Sequence, residues 1–152
     1  VNHLITEIAK TTQILRDKLS KNNIEVRCES LEEDQLIFCD PLRLKQLILN
    51  LSTNALKFTN KGLVSINASI HNDSIEFSVS DTGCGIKKDK LPQIFNQFFR
   101  SENNNHTIPG LGLGLFIAKE ITERHRGEIK VESIYGKGSK FFLTMKLRGN
   151  LI

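Results

Sequence analysis

Residues 63–86 read LVSINASIHNDSIEFSVSDTGCGI, and their alternation settles the fold class. Val64, Ile66, Ala68 and Ile70 share one parity; Ile75, Phe77 and Val79 share another, with polar residues between. A period of two marks strands with one buried face, and the polar HNDS between them predicts a hairpin. Two residues beyond Val79, the same inward parity falls on Asp81. A buried carboxylate is costly unless it accepts hydrogen bonds, meets a cation or shifts its pKa. Asp81 could cap the turn that follows. Its parity instead favours accepting a hydrogen bond from a buried donor such as the exocyclic amine of adenine, with Gly83 and Gly85 letting a flat base approach the backbone.

Outward from this hairpin the chain mixes helices and strands. Leu4, Ile5, Ile8, Ile14, Leu15 and Leu19 recur at helical spacing in residues 2–21. IEVRCES alternates as a strand, and LIFCD (36–40) is read as a second, short one. DPLRLKQLILNLSTNALKFT is the clearest helix, with Asp40 at the N-cap and Pro41 in the first turn. KKDKLPQIFNQFF reads as short helical turns, and RSENNNHTIPG, without periodicity, as a mobile loop. LGLGLFIAKEITERH is a helix entered through glycines, and GEIKVESI, YGKG and SKFFLTMKL form a closing hairpin. This order predicts one α+β domain over residues 1–152, a two-layer sandwich with a mixed, mostly antiparallel sheet backed by helices.

Composition narrows the function. The 152 residues carry 21 Lys and Arg against 17 Asp and Glu, spread along the chain without a basic block, so a nucleic-acid surface is not expected. Cys28, Cys39 and Cys84 lie far apart, which argues against a zinc site or a disulfide framework and suits a reducing, cytoplasmic setting. No apolar run reaches the roughly 18 residues of a membrane helix. The chain opens at Val1 and its one methionine is Met145, so a longer parent is expected.

On the helix from Pro41, Leu44, Leu47, Ile48, Leu51, Ala55 and Phe58 form an apolar sector. Asn50, Asn54 and Lys57 form a separate polar sector about 60° wide. Two carboxamides and an ammonium there could coordinate a metal and touch phosphate oxygens; a solvated face is the plainer alternative. In GLGLGL, Gly110, Gly112 and Gly114 expose backbone N–H groups where a loop becomes a helix, an arrangement that favours phosphate. The spacing matches neither a P-loop nor a dinucleotide fingerprint, and glycines for tight helix packing are the other reading. GKGSKF, with Ser139, is by itself a hairpin turn.

Together, NLSTNALKF, DTGCGI, IFNQFF, GLGLGL and GKGSKF, in this order, resemble the N, G1, F, G2 and G3 boxes of the ATP-binding catalytic domain of sensor histidine kinases. That domain belongs to the superfamily of gyrase, heat-shock chaperone, histidine kinase and mismatch-repair ATPases. The resemblance covers nearly the whole chain and implies the Bergerat ATP-binding fold. It implies that Asp81 holds the adenine amine, with Gly83, Gly85 and Ile86 shaping the base pocket and Phe58 beside the base. Asn50 and Asn54 would organise Mg2+ and triphosphate, and Lys57 would touch phosphate. Phe95 and Phe98 would anchor one end of a nucleotide lid, with Arg100 a phosphate contact. Gly110, Leu111, Gly112, Leu113 and Gly114 would form the other hinge and phosphate cradle, and Ser139 would join the nucleotide site.

The resemblance also implies what lies outside the chain. His3, His71, His106 and His125 sit in no box resembling the phosphoacceptor motif, so the dimerisation and phosphoacceptor hairpin is expected upstream. A response-regulator receiver domain is the expected downstream partner, and the parent could be membrane-anchored. Family members that hydrolyse ATP place a Glu where Asn50 stands; Asn takes no proton at neutral pH, which favours transfer over hydrolysis. An anti-sigma-type serine kinase, a nucleotide-binding interaction module without transfer activity and a gyrase-like ATPase are the competing readings.

Overall fold

The computed structural model describes residues 1–100 and 112–147, so all but Arg100 of the loop expected over RSENNNHTIPG (100–110), and with it Gly110 and Leu111, lies outside the described residues. Three helices pack on one face of a five-stranded sheet. The elements run α1 (Asn2–Lys18), β1 (Ile24–Glu29), α2 (Pro41–Phe58), β2 (Gly62–His71), β3 (Ser74–Asp81), a 3-10 turn (Leu91–Gln93), α3 (Gly114–Arg124), β4 (Glu128–Ile134) and β5 (Gly138–Lys146). The strand order is β1-β2-β3-β5-β4. β1 and β2 are parallel and the other pairs antiparallel, the mixed, mostly antiparallel sandwich expected from the sequence.

The inner face of the sheet is a stack of rungs. Ala68, Phe77, Leu143 and Ile129 lie side by side across four strands, and Ile66, Val79, Phe141 and Val131 form the next rung. Phe77, Ile66 and Leu143 are at most 1% exposed, and burying a side chain of that size contributes about 1.5–3 kcal/mol. One rung further the chemistry changes: Val64, Asp81, Ser139 and Ser133 stand in line. The apolar face therefore ends in an acid and two hydroxyls.

α2 lies over this face and supplies Leu44, Leu47, Ile48, Leu51 and Ala55 to the core. Leu56, outside that sector, is also fully buried, because α1 packs on another flank of α2 with Ile5 and Ile8 turned inward. Glu7 and Lys45 pair across that seam. The helix starts where the sequence places it: Asp40 Oδ1 accepts from the N–H groups of Leu42 and Arg43 at 3.0 and 3.1 Å, with Pro41 in the first turn.

The short strand expected at 36–40 is absent; the segment is irregular. Its alternation is present, with Ile37 and Cys39 packed against the core and Leu36 and Phe38 outward. It nevertheless belongs to no ladder. The residues just before it are tied to the start of α1, where the Val1 amino group and Asn2 N–H donate to Gln35 O and Asp34 Oδ1, and at its end Asp40 N–H donates to His125 Nε2 at 3.4 Å.

Replacing Asp40 by Ala should lower stability by about 1 kcal/mol, the usual cost of a lost N-cap. Leu47→Ala should cost about 2–5 kcal/mol through a core cavity. Urea denaturation with an unchanged slope checks both, and equal losses at the two positions would contradict this division of roles.

Candidate nucleotide-binding site

Between α2, α3 and the polar end of the sheet lies a cavity of about 460 Å³, within the range of small-molecule sites. α2 contributes Asn50, Asn54, Lys57 and Phe58 to its wall. Asn50 and Asn54, one turn apart, stand on the cavity side, whereas Leu47 and Leu51 turn to the core and Ala55 borders both. The sheet contributes Asp81 and Ser139 from the polar rung and Phe141 from the rung beneath.

The loop after β3 is held from two sides. Gly83 N–H donates to Asp81 Oδ1 at 2.8 Å, and Cys84 N–H donates to Phe58 O at 3.2 Å at the end of α2. A Cβ on Gly83 would stand 2.3 Å from Phe58 O and 2.8 Å from Asp81 Oδ1, so only glycine lets the loop close on the helix. On the other side Gly136 N–H donates to Cys84 O at 2.7 Å. Gly85, at φ +66°, packs so closely that a Cβ would meet Ile134 O at 2.2 Å. Ile86 and Gly85 line the cavity; Gly83 shapes the loop from behind its wall.

Asp81 is partly buried, and that burial pushes its carboxyl up from the ordinary value. The Gly83 and Ser139 N–H groups and the Thr59 hydroxyl pull the other way, with smaller effect. Thr59 is wholly buried, and its Oγ1, close to the carboxylate, is not in hydrogen-bonding geometry with any group. Lys57, Lys87, Lys90 and Arg100 also line the cavity. Four cations to one carboxylate in the wall favour an anionic ligand.

α3 meets the cavity with its N-terminus. Its N-cap residue, Leu113, makes no side-chain cap hydrogen bond, so the first-turn N–H groups and the positive end of the helix dipole face the same space. Gly112, Leu113 and Gly114 line the wall, and a Cβ on Gly114 would come within 3.9 Å of the Asn54 amide. The flanks of 101–111 are tied together: Phe98 N–H donates to Gly112 O at 3.1 Å. Phe98 takes a φ of +61° and is 63% exposed. That reversal turns its neighbour Phe99 into the cavity wall. Phe95 packs into the core, its ring edge-on to Phe141 at 6.3 Å.

Sequence reasoning did not single out Lys87, Lys90, Phe99 or Tyr135. Lys87 and Lys90 follow DTGCGI directly, which is a usable signal of proximity. Tyr135 comes from a hairpin turn 50 residues on in the chain (135 against 85), with Lys87 Nζ 5.3 Å above its ring; nothing local announces it. Among the described residues no cluster of three or more His, Cys, Asp and Glu could hold a metal. Of the oxygen donors in the wall, the amides of Asn50 and Asn54 stand together one turn apart on α2, and they suit a Mg2+ shared with phosphate oxygens.

Fold and cavity together are those of an ATP-binding domain of the α/β sandwich type. The chain belongs to the histidine kinase-, DNA gyrase B- and HSP90-like ATPase family, whose model matches residues 39–149. It is 40% identical over 114 residues to the sensor histidine kinase GacS of Pseudomonas protegens, covering 71% of this chain and 12% of that protein. It is 32% identical over 157 residues to sporulation kinase E of Bacillus subtilis, covering 97% of this chain and 20% of that protein. The crystal structure of full-length ShkA in complex with AMPPNP superposes with a TM-score of 0.85 at 28% identity, over 99% of this chain and 31% of ShkA. The chain thus has the ATP-binding catalytic domain of sensor histidine kinases and spans a fifth or less of these two relatives' length. α1 and β1, which precede the family match, are shared with ShkA.

The raised Asp81 pKa has a signed consequence. The folded state binds this proton more tightly than the unfolded state, so stability falls as pH rises from the ordinary carboxylate value of 3.8 through the raised one. The thermal midpoint of the nucleotide-free protein, measured against Asp81→Asn, should move against the wild type across that window. A difference independent of pH would contradict the burial of the charge.

Proposed function

We propose that the chain binds Mg-ATP in this cavity and transfers the γ-phosphoryl group to a histidine on a separate acceptor domain of its parent protein. The observation that carries this reading is the polar rung. A single partly buried carboxylate ends the apolar face of the sheet, opposite two asparagines, a lysine and an uncapped helix start. Asp81 would accept from the adenine amine, with Phe58, Ile86 and Ile94 as apolar walls. Asn50 and Asn54 would hold Mg2+ together with phosphate oxygens, and the ion would neutralise charge on the triphosphate. Lys57, Arg100 and the first-turn N–H groups of α3 would bind the phosphates.

Catalysis in this arrangement is positioning and charge neutralisation. Asn50 is neutral and takes no proton from water at neutral pH, so hydrolysis would be slow and an external nucleophile preferred. GacS is a sensor histidine kinase, which favours a histidine acceptor over the serine of an anti-sigma kinase. The acceptor hairpin, its dimer and a response-regulator receiver domain are the proposed partners, and the proposed setting is the cytoplasm. Among the described residues no helix is long and apolar enough to cross a membrane.

The test combines the chain with the parent's separately produced acceptor hairpin, Mg2+ and γ-labelled ATP. Acid-labile label on the hairpin histidine, with little free phosphate from the isolated chain, is expected. Label on serine would support the anti-sigma reading; no label after long incubation would overturn transfer. Asp81→Asn should abolish binding of a fluorescent ATP analogue while circular dichroism stays unchanged, and undiminished affinity would refute the adenine assignment.

A further inference from the structure

The polar rung extends one residue beyond the cavity. Ser139, in the wall, is paired across β4 and β5 with Ser133, which lines no part of the cavity. The Ser133 hydroxyl accepts from Ile86 N–H at 2.7 Å, lies 3.0 Å from Gly138 O and 2.9 Å from Ser139 Oγ. It therefore joins the loop after β3 to the closing hairpin, 47 positions away in sequence.

We propose that Ser133 is a positioning residue for base recognition, holding the Ile86 N–H and setting the direction of the Ser139 hydroxyl proton. The inference rests on the ATP-binding reading above. It follows from counting protons. Ile86 N–H can only donate, so Ser133 accepts there and has one proton left for two acceptors. When that proton goes to Gly138 O, Ser139 donates to Ser133 and turns its lone pairs toward the cavity. When it goes to Ser139 Oγ, the Ser139 O–H is released to donate into the cavity or toward Asp81. One hydroxyl rotor behind the wall thus decides whether a wall hydroxyl acts as donor or acceptor beside the site of the base.

This arrangement bears on which purine is held. Adenine offers ring nitrogens as acceptors and an amine as donor, whereas hypoxanthine offers a carbonyl and a ring N–H. Without Ser133, the Ile86 N–H loses its acceptor and Ser139 loses the neighbour that orders its proton. The backbone clamp survives, because Gly136 N–H still donates to Cys84 O at 2.7 Å. The fold should therefore tolerate the change, and the loss should fall on discrimination.

The experiment uses the full chain and its Ser133→Ala and Ser133→Thr variants. Titration calorimetry with Mg2+ measures ATP, inosine triphosphate and tripolyphosphate, and thermal unfolding follows the nucleotide-free proteins. The wild type should prefer ATP. Ser133→Ala should weaken ATP about tenfold, the scale of one lost hydrogen bond at a desolvated N–H. It should weaken inosine triphosphate less and leave tripolyphosphate unchanged, and Ser133→Thr should restore the wild-type pattern. An unchanged ATP to inosine triphosphate ratio in Ser133→Ala overturns the inference alone. So does an equal loss for both nucleotides with a collapse of thermal stability that Thr does not rescue. A wild-type chain that binds neither nucleotide overturns the ATP reading and this inference with it.

Discussion

A carboxylate that ends an apolar sheet face must be stabilised by something, and most of this domain's active surface can be understood as the answer. Asp81 shares its parity with Ile75, Phe77 and Val79, so the pleat that buries them also carries the acid inward. The protein satisfies it only in part: Gly83 N–H donates at 2.8 Å, Ser139 N–H also favours the charge, and a Thr59 hydroxyl lies nearby but out of line. Burial outweighs these groups and pushes the carboxyl above its ordinary value. A donor arriving from the cavity would relieve that penalty, so the acid both caps the turn through Gly83 N–H and has acceptor capacity left for a ligand. Such a group costs folding stability while the cavity lacks a donor and recovers part of it on binding.

The same constraint explains the neighbouring backbone. For Asp81 to face a flat ligand, the loop after β3 must lie close to both the end of α2 and the tip of the β4–β5 hairpin. Gly83 and Gly85 stand where a side chain would collide with Phe58 O and Ile134 O. The loop is therefore fixed by contacts from elements distant in sequence, and its geometry follows from the sheet register. α2 serves two ends at once. Its core sector anchors the helix to the sheet through Leu47, Leu51 and Ala55, and that anchoring sets the height of Asn50, Asn54 and Lys57 along the cavity.

Much of this was legible in the sequence because it is periodic. The alternation in β2 and β3, the Asp40–Pro41 start of α2 and the glycines before α3 each follow local rules, and the structure contains those elements. LIFCD misled for a physical reason: alternation reports which side chains turn inward, and it does so whether or not a strand neighbour is available. There the residues just before the segment are tied to the start of α1, and the segment joins no ladder. In the site, residues on regular elements or in glycine motifs were found, among them Asn54, Asp81 and Gly114. Tyr135, Phe99 and Ser133 were not, since their roles arise from cross-strand register and from a chain reversal at Phe98. Neither leaves a trace in local composition. The boxes after Arg100 were legible as far as Gly112, Leu113 and Gly114; Gly110 and Leu111 fall outside the described residues.

The two ends of the cavity are built differently, and the difference bears on how binding energy is used. The proposed base end rests on strands, with hydrogen bonds that join β3, β4 and β5 and the loop between them. The proposed phosphate end rests on helix α2, the start of α3 and the tied flanks of 101–111. A base held on a rigid sheet supplies binding energy remote from the reacting phosphorus, and that energy can fix the triphosphate for attack. The cations and N–H groups at the other end then act on charge that changes during transfer. On the proposed reading Asn50 would give water no base, so an ordered triphosphate would not by itself lead to hydrolysis. Turnover would then depend on a nucleophile brought by another domain, and the placement of that domain would be the natural point at which a signal controls the reaction.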